Sequence, residues 1–470
     1  MEFTEFAVIV VTLLIFLPQI LVYALHVVIL LRSRGKATVT KLVEKKECSD
    51  VSFIMPIKKE PLEYVVDATK YIHSLGIRNY EIIIVSDDDE DYKNKLVNLV
   101  HELREQGINI WLVWRSYSRG YRTGALNDGL YISKGEYVYI IDVDTRPSKC
   151  FFERAIQILE SSPNTIAVVG RWEPLNMDTR LSQALALGLR FLTRVLYRAR
   201  SMNKLFTYPL GTGTLYKSRI LKEYFKGWDE DRVQDDMEIG ARIMRSNYKI
   251  VYLDDCPIFV ENPGTYKSFR VQQARWAYGA MDVALTRFRY IVSSNYPLVV
   301  KAEALMYLLQ YIPQTLVFTS TLILAGLCFF KPVEPLALGF ALTIVLVAML
   351  AAYSYVMYVE SNMSNAMWEF MVLAGRLSAV SVAISPYIAI NTIKALLRKR
   401  EVYRRTPKGI YQRLYSNVRF PYELVLGLYF LISGVISIMH GMRILPLWIL
   451  LTSMGYIYVV IRFPRDVFYK

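Results

Sequence analysis

Tyr139-Ile140-Ile141-Asp142-Val143-Asp144 ends an apolar run in two carboxylates one residue apart, and Thr145-Arg146-Pro147 then turns the chain. The run reads as a buried strand whose carboxyl end carries the acids. Two carboxylates so placed can share a hard divalent cation with two phosphates of a nucleotide. An acidic pair at a strand end is also a common start for a solvated loop. The segments around it must decide between the two.

From Asp50 to about Pro263, short apolar runs alternate with amphipathic stretches: Val51–Met55, Glu81–Val85, Ile108–Val113, Tyr137–Ile141 and Thr165–Val169. This alternation predicts an α/β domain with a mostly parallel sheet, helices on both faces, and ligands gathered at the carboxyl ends of the strands. The residues able to do chemistry fall at those ends. Glu81–Val85 runs into Ser86-Asp87-Asp88-Asp89, where Asp87 can accept hydrogen bonds from a base or ribose. Gly120-Tyr121-Arg122-Thr123-Gly124-Ala125-Leu126-Asn127 sets a cation and two glycines before a helix, a suitable place for Arg122 to meet diphosphate oxygens. Gln234-Asp235-Asp236-Met237-Glu238 opens another helix, and one of its carboxylates can take a proton from an attacking hydroxyl. Gln272-Gln273-Ala274-Arg275-Trp276 puts Gln272 and Arg275 a helical turn apart, beside Trp276. Each piece has a plain structural counterpart as a loop, a helix start, a cap or a surface stacking pair. Their order within one alternating domain is what favours a site.

The 470 residues are 53% hydrophobic with a formal charge of +14, too apolar for an ordinary soluble enzyme. The basic runs flank apolar segments, so the charge reads as cytoplasmic loops following the positive-inside bias rather than as a nucleic-acid surface. Four cysteines without C-x-x-C spacing and four scattered histidines indicate neither a disulfide framework nor a zinc site. Phe6 to Leu31 is one bilayer thickness in helical form, followed by Arg32, Arg34 and Lys36, and reads as a retained anchor in region 1–36 with the following chain in the cytoplasm. A catalytic domain over 50–300 follows, with interfacial helices near 180–200 and 267–292. In the first of these Leu185, Leu189, Leu192 and Leu196 share one sector, opposite Arg190, Arg194 and Arg198. The helix either lies at the headgroup level, its leucines toward the acyl chains or neighbouring spans, or packs on the sheet with a solvated basic face. Region 301–470 forms a membrane bundle with spans at Leu305–Phe330, Pro335–Tyr358, Tyr422–Met439 and Leu445–Ile461. An interfacial or re-entrant segment over 366–397 precedes a basic, gating-like loop at 398–413, and a sixth span is the alternative.

The stretch from about Val51 to Trp276 resembles the catalytic domain of glycosyltransferase family 2, in its membrane-embedded branch of cellulose, mannan and hyaluronan synthases. The resemblance implies a GT-A type nucleotide-diphospho-sugar transferase domain inserted between transmembrane helices. It implies that Asp87 contacts the nucleoside, and that Asp142 and Asp144 hold the diphosphate, Asp144 through a divalent cation, Mg2+ or Mn2+. Asp236 is then the general base, in the place of the family's Thr-Glu-Asp motif, with Asp235 on the acceptor side. Gln272, Arg275 and Trp276 match Gln-x-x-Arg-Trp, which binds diphosphate and lines the acceptor site. Gly211, Thr212 and Gly213 resemble an acceptor-side segment, and Thr406 and Lys408 a loop that closes over the donor. Ser86-Asp87-Asp88-Asp89, Arg122-Thr123 and Gln234-Asp235-Asp236 depart from the family's usual residues, which leaves open whether the donor is a UDP- or a GDP-sugar.

The function so implied is inverting, metal-dependent transfer of a sugar to a growing polysaccharide at the cytosolic face of the cell membrane, with translocation of the product through a multi-pass bundle. Transfer to a membrane lipid acceptor is the alternative. Expected partners are the nucleotide sugar, a glycan or lipid acceptor and membrane lipids, with no nucleic acid. A transporter with a nucleotide-sensing domain would bury charged residues in its spans. Leu305–Phe330 and Pro335–Tyr358 hold almost none.

Overall fold

The computed structural model describes residues 3–33, 50–330, 334–360, 367–401, 405–407, 409, 412, 414–415 and 417–469. Eight strands form one sheet: β1 (Val51–Ile57), β2 (Tyr80–Ser86), β3 (Ile110–Trp114), β4 (Tyr137–Ile140), β5 (Thr145–Pro147), β6 (Thr165–Pro174), β7 (Thr214–Lys217) and β8 (Lys249–Val260), in the order β3-β2-β1-β4-β7-β6-β8-β5. β3, β2, β1 and β4 are parallel, as are β6 and β8, while β7 runs antiparallel between β4 and β6. The β-branched runs of β1 and β2 are buried along nearly their whole length, as strands covered on both faces must be. Each of the five predicted strands is present. β5, β7 and β8 were not predicted, for identifiable reasons. β7 has only four residues, β5 is the turn after Asp144 pairing antiparallel with β8, and β8 is interrupted by Asp254-Asp255-Cys256, where its pairing with β6 slips.

Helices α2 (Leu62–Ser74), α3 (Glu90–Glu105) and α4 (Tyr121–Ile132) pack on the first half of the sheet, and α5 (Lys149–Ser161) packs on β6 and β8. Phe53, Tyr139, Phe151 and Phe152 meet edge to face in the core between β1, β4 and α5. The chain then forms α6 (Arg180–Arg190), a π-helical turn (Phe191–Tyr197) and α7 (Arg198–Met202). The leucines of this segment face neighbouring helices, which the first sequence-based reading allowed, and its basic face departs from the second. Arg194 and Arg190 pair with Glu173 on β6, and Arg198 pairs with Asp254 on β8 at 2.6 Å, so the basic face is docked on the sheet rather than solvated. Leu185 packs among apolar helices of the C-terminal half and Leu196 against Met357, Phe370 and Leu373.

Beyond α8 (Ser218–Glu223) and α9 (Asp235–Arg245), the long α10 (Tyr266–Val292) leads through α11 (Leu298–Leu308) to α12 (Ile312–Leu327), α13 (Leu336–Glu360), α14 (Met367–Ala383), α15 (Ser385–Leu396), α16 (Tyr422–Met439), α17 (Leu445–Arg462) and α18 (Pro464–Phe468). Together with α1 (Phe3–Ser33), the described residues include five helices long and apolar enough to cross a membrane: Glu5–Ser33, Ile312–Phe330, Leu336–Val359, Tyr422–Met439 and Leu445–Arg462. The stretch predicted to start at Leu305 starts instead at Ile312, because α11 ends at Leu308 and Pro313 opens a new helix. α14 and α15 are the doubtful segment of the sequence, bent by 47° at Ile384, before Pro386.

No disulfide was expected from the cysteine spacing, yet Cys150 and Cys256 are bonded, with Cα atoms 5.7 Å apart and a sequence separation of 106. The bond ties the start of α5 to the interruption in β8. Neither C-x-x-C spacing nor local pattern marks such a pair, which only the sheet brings together.

Candidate active site

The chemical residues arrive from separate strand ends and helix starts. Asp87 follows β2, Asp142 and Asp144 follow β4, Arg122 lies in the first turn of α4, Asp235 and Asp236 open α9, and Gln272, Arg275 and Trp276 face inward from α10. All of these, with Gly211, Thr212 and Thr406, line one cavity of about 660 Å3. Gly213 does not line it. Its φ of +88° and a would-be Cβ 2.8 Å from Trp172 Nε1 give it a conformational role behind the wall, where only glycine fits. Lys408 lies outside the described residues.

The three consecutive aspartates have three different tasks. Asp89 caps α3 by accepting from the Tyr92 amide at 3.0 Å, and Asp88 accepts from the Ser86 hydroxyl at 2.7 Å. Asp87 alone borders the cavity, paired at 3.1 Å with Arg115, a buried arginine just past β3 that also meets Asp128 at 3.0 Å. Burial raises the Asp87 pKa, and the Arg115 guanidinium opposes that rise. Sequence reasoning missed Arg115. Its place at the carboxyl end of a parallel strand was the available signal.

Arg122 reaches from α4 to Asp142 at 2.6 Å, Asp235 at 3.5 Å and the Gly211 carbonyl at 2.9 Å. One guanidinium fork thus joins the β4 end, the α9 start and the Gly211 turn. The Asp142 amide donates to Thr212 Oγ1 at 3.3 Å, and Thr212 Oγ1 donates to Thr145 Oγ1 at 3.1 Å. In this way the Pro209–Gly213 segment fixes the strand end that bears the acids.

Asp236 is buried, and burial together with the adjacent Asp235 charge raises its pKa to about 7. The Met237 amide at 2.7 Å and the Gln234 side-chain amide at 2.8 Å donate to Oδ1 and oppose that rise. Oδ2 is directed toward Gly211, where an added Cβ would sit 3.4 Å away. A carboxylate held by one oxygen, with the other facing a cavity and a pKa near neutrality, is suited to accept a proton. Gln234 can approach because α10 offers Gly279 there, where a Cβ would fall 2.7 Å from Gln234 Cβ. Asp235 is likewise raised, by burial, with Arg122 opposing.

α10 begins at a Thr265 cap, and the same helix carries Gln272, Arg275 and Trp276. Two described residues of the segment resembling a gate make contacts here: Arg405 pairs with the buried Glu60 at 2.7 Å, and Ser268 on α10 donates to the Pro407 carbonyl at 3.1 Å. Beyond Trp276 the cavity continues along Gln273, Tyr307, Gln310 and Tyr311, which the sequence did not single out because they lie past the alternating region.

The sequence profile described as glycosyl transferase family group 2 matches residues 137–357. A probable glycosyltransferase of Sulfolobus acidocaldarius is 32% identical over 423 residues, covering 88% of this chain and 90% of that protein. The chain belongs to glycosyltransferase family 2. Glucomannan 4-beta-mannosyltransferase 7 of Arabidopsis thaliana is 24% identical over 450 residues, which is 88% of this glycosyltransferase and 77% of the plant protein. Among solved structures, a mannosyltransferase of Pyrobaculum calidifontis, in complex with GDP-Man and Mn2+, has a TM-score of 0.52 at 18% identity, covering 84% of this chain and 99% of that one. The glycosyltransferase therefore has a GT-A-like fold flanked by apolar helices.

Among the described residues of the glycosyltransferase, no group of three or more His, Cys, Asp or Glu could hold a metal ion by itself. Asp142 and Asp144 fit a cation of another kind. Magnesium-like ions bind through one or two carboxylates and complete their shell with substrate phosphates and water.

Proposed function

We propose that this glycosyltransferase catalyses inverting, metal-dependent transfer of a hexose, with mannose from GDP-mannose the first candidate, to a saccharide hydroxyl at the membrane face. What carries the reading is that one cavity holds the carboxylate pair Asp142 and Asp144, the cations Arg122 and Arg275, and the base candidate Asp236. The name of the plant relative and the ligands of the Pyrobaculum protein support mannose, guanosine and a divalent ion.

The donor's nucleoside rests near Asp87. Asp144 and Asp142 would hold the cation, which when bound would supply positive charge to the diphosphate leaving group. Arg275 and Arg122 add positive charge on the same side, and leaving-group electrostatics of this kind carries much of the barrier reduction. Asp236 faces the acceptor. As the acceptor oxygen bonds to the anomeric carbon, the bond from that carbon to the diphosphate oxygen breaks with its electron pair on the nucleotide, and the hydroxyl proton passes to Asp236. Attack opposite to the leaving group inverts the anomeric centre.

The five apolar helices make the chain compatible with a membrane protein. A multi-pass topology with the catalytic domain in the cytoplasm is the arrangement we propose, supported by the basic flanks of the spans. Translocation is not part of this reading. Among the described residues, none of α1, α13, α16 or α17 lines the cavity. The test is to incubate purified protein with GDP-mannose and Mn2+ and to follow GDP release and the anomeric configuration of the product. A retained configuration, or equal turnover by Asp236→Asn protein, defeats the proposal.

A further inference from the structure

The cavity changes character as it nears the apolar helices. Around Asp236 it is charged. Next come Tyr307, Gln310 and Tyr311 at the α11 to α12 junction, with Gln273 of α10 opposite. The charge of Asp236 acts on both tyrosines, so they stand on the base's side. Tyr307 is held from several directions: its ring stacks on Tyr208 at 5.0 Å, Arg200 lies 4.1 Å from its centroid, and its hydroxyl is 2.7 Å from that of Tyr197. Tyr311 donates to Gln273 Oε1 at 3.2 Å. Tyr208 and Arg200 thus take up the Tyr307 ring, and the Tyr311 ring beside the Gln273 and Gln310 amides is what the cavity offers a sugar ring. Beyond this belt the wall is Leu185, Leu189, Leu192 and Leu377, from α6, the π-helical turn and α14. Here α6 and α14 approach closely at Gly188, where an added Cβ would sit 3.4 Å from Leu377.

We infer that the acceptor is a lipid-borne saccharide, its sugar seated on Tyr311, Gln273 and Gln310 and its apolar tail lying along Leu189, Leu192 and Leu377. The inference rests on the proposed transfer reaction and names its acceptor class. A free glycan running along this wall would bury hydroxyls against leucines that return no hydrogen bond. A tail gains from the same surface. Leu377 belongs to the bent apolar pair of α14 and α15, and α6, with Leu185 and Leu189, packs on α14, so a bound tail points toward the bilayer rather than into water.

Membranes carrying the overexpressed protein are incubated with GDP-[14C]mannose and Mn2+, then divided into an organic extract, water-soluble saccharide and insoluble polymer, with GDP release followed in parallel. The expected result is label in the organic extract that is absent with Asp236→Asn protein. Release of that label by mild acid marks an isoprenoid phosphate carrier, and release by alkali an acylated glycolipid; either agrees with the inference. In Leu377→Gln and Leu189→Gln proteins the organic label should fall at least ~5-fold relative to GDP released, because the tail loses apolar contact. If these variants do not fold, the wild-type partition alone decides. Label confined to polymer or soluble saccharide overturns the inference and leaves the donor reading intact. GDP release no greater than with Asp236→Asn protein removes the donor reading, and this inference with it.

Discussion

At the scale of the residue, the proposed reaction makes Asp236 the position to test first. Its substitution by Asn should lower turnover by about 100-fold to 10,000-fold, the span typical of a lost general base, with the protein still folded by thermal melting. Because the base must be ionised and its pKa is raised to about 7, kcat/KM for the acceptor should climb with pH through that value and level off above it. Stability runs the other way. A carboxyl whose pKa rises from 3.8 to about 7 on folding binds its proton more tightly in the native state, so the donor-free protein should lose stability as pH increases across that interval. Melting curves between pH 4 and 8, flattened in Asp236→Asn protein, would show it. Asp144→Asn, or removal of divalent ions with EDTA, should abolish transfer, and added Mn2+ should restore the EDTA-treated protein but not the variant. The positions of Asp87, Asp142 and Asp144 in one cavity were legible in the sequence, because strand ends in a parallel sheet converge, while Asp236 and Trp276, on α9 and α10, were marked out by the resemblance to the family. The partners Arg115 and Gln234 were not, because no spacing rule announces which buried cation or amide will meet a given acid.

At the scale of the element, α10 joins the acceptor side to the base. Gly279→Leu should push Gln234 away from Asp236, raise the pH at which activity appears, and destabilise the protein by about 1–3 kcal/mol through overpacking. A variant with an unmoved pH profile would separate α10 packing from the state of the base. The π-helical turn is a second lesson in reading elements. The leucine spacing of 185–196 was visible, but the acids that take up Arg190, Arg194 and Arg198 sit on β6 and β8, far away in sequence. Cys150 and Cys256 were similarly hidden. Because their bond closes a loop of 106 residues, its reduction should cost about 2–4 kcal/mol, read as a lower melting temperature in dithiothreitol and an unchanged one in Cys256→Ser protein.

At the scale of the whole molecule, a buried polar knot fastens the catalytic domain to the apolar helices. Glu423, fully buried at the start of α16, accepts from Arg419 at 2.9 Å, Tyr387 at 2.9 Å and Tyr266 at 3.2 Å, and pairs with Arg270 at 3.4 Å. Asp466 in α18 accepts from the Tyr266 amide at 3.0 Å and from Tyr415 at 2.7 Å. The first turn of the helix bearing Gln272, Arg275 and Trp276 is thereby tied to α15, α16 and α18. Truncating one member strands opposite charges in a dry interior, so Glu423→Ala should destabilise by about 3–5 kcal/mol. A thermal shift of the purified protein in detergent checks this, and a near-neutral result would show the knot to be solvated. By itself the sequence determined the alternating α/β domain, the apolar helices around it and the acids at the strand ends, since hydrophobic period and terminal residue type are local properties. The tertiary structure decided which charges neutralise one another, which cysteines meet, and that the cavity passes from carboxylates through tyrosines to leucines. Those are matters of contact between segments far apart in the chain, and only packing brings such segments within range of one another.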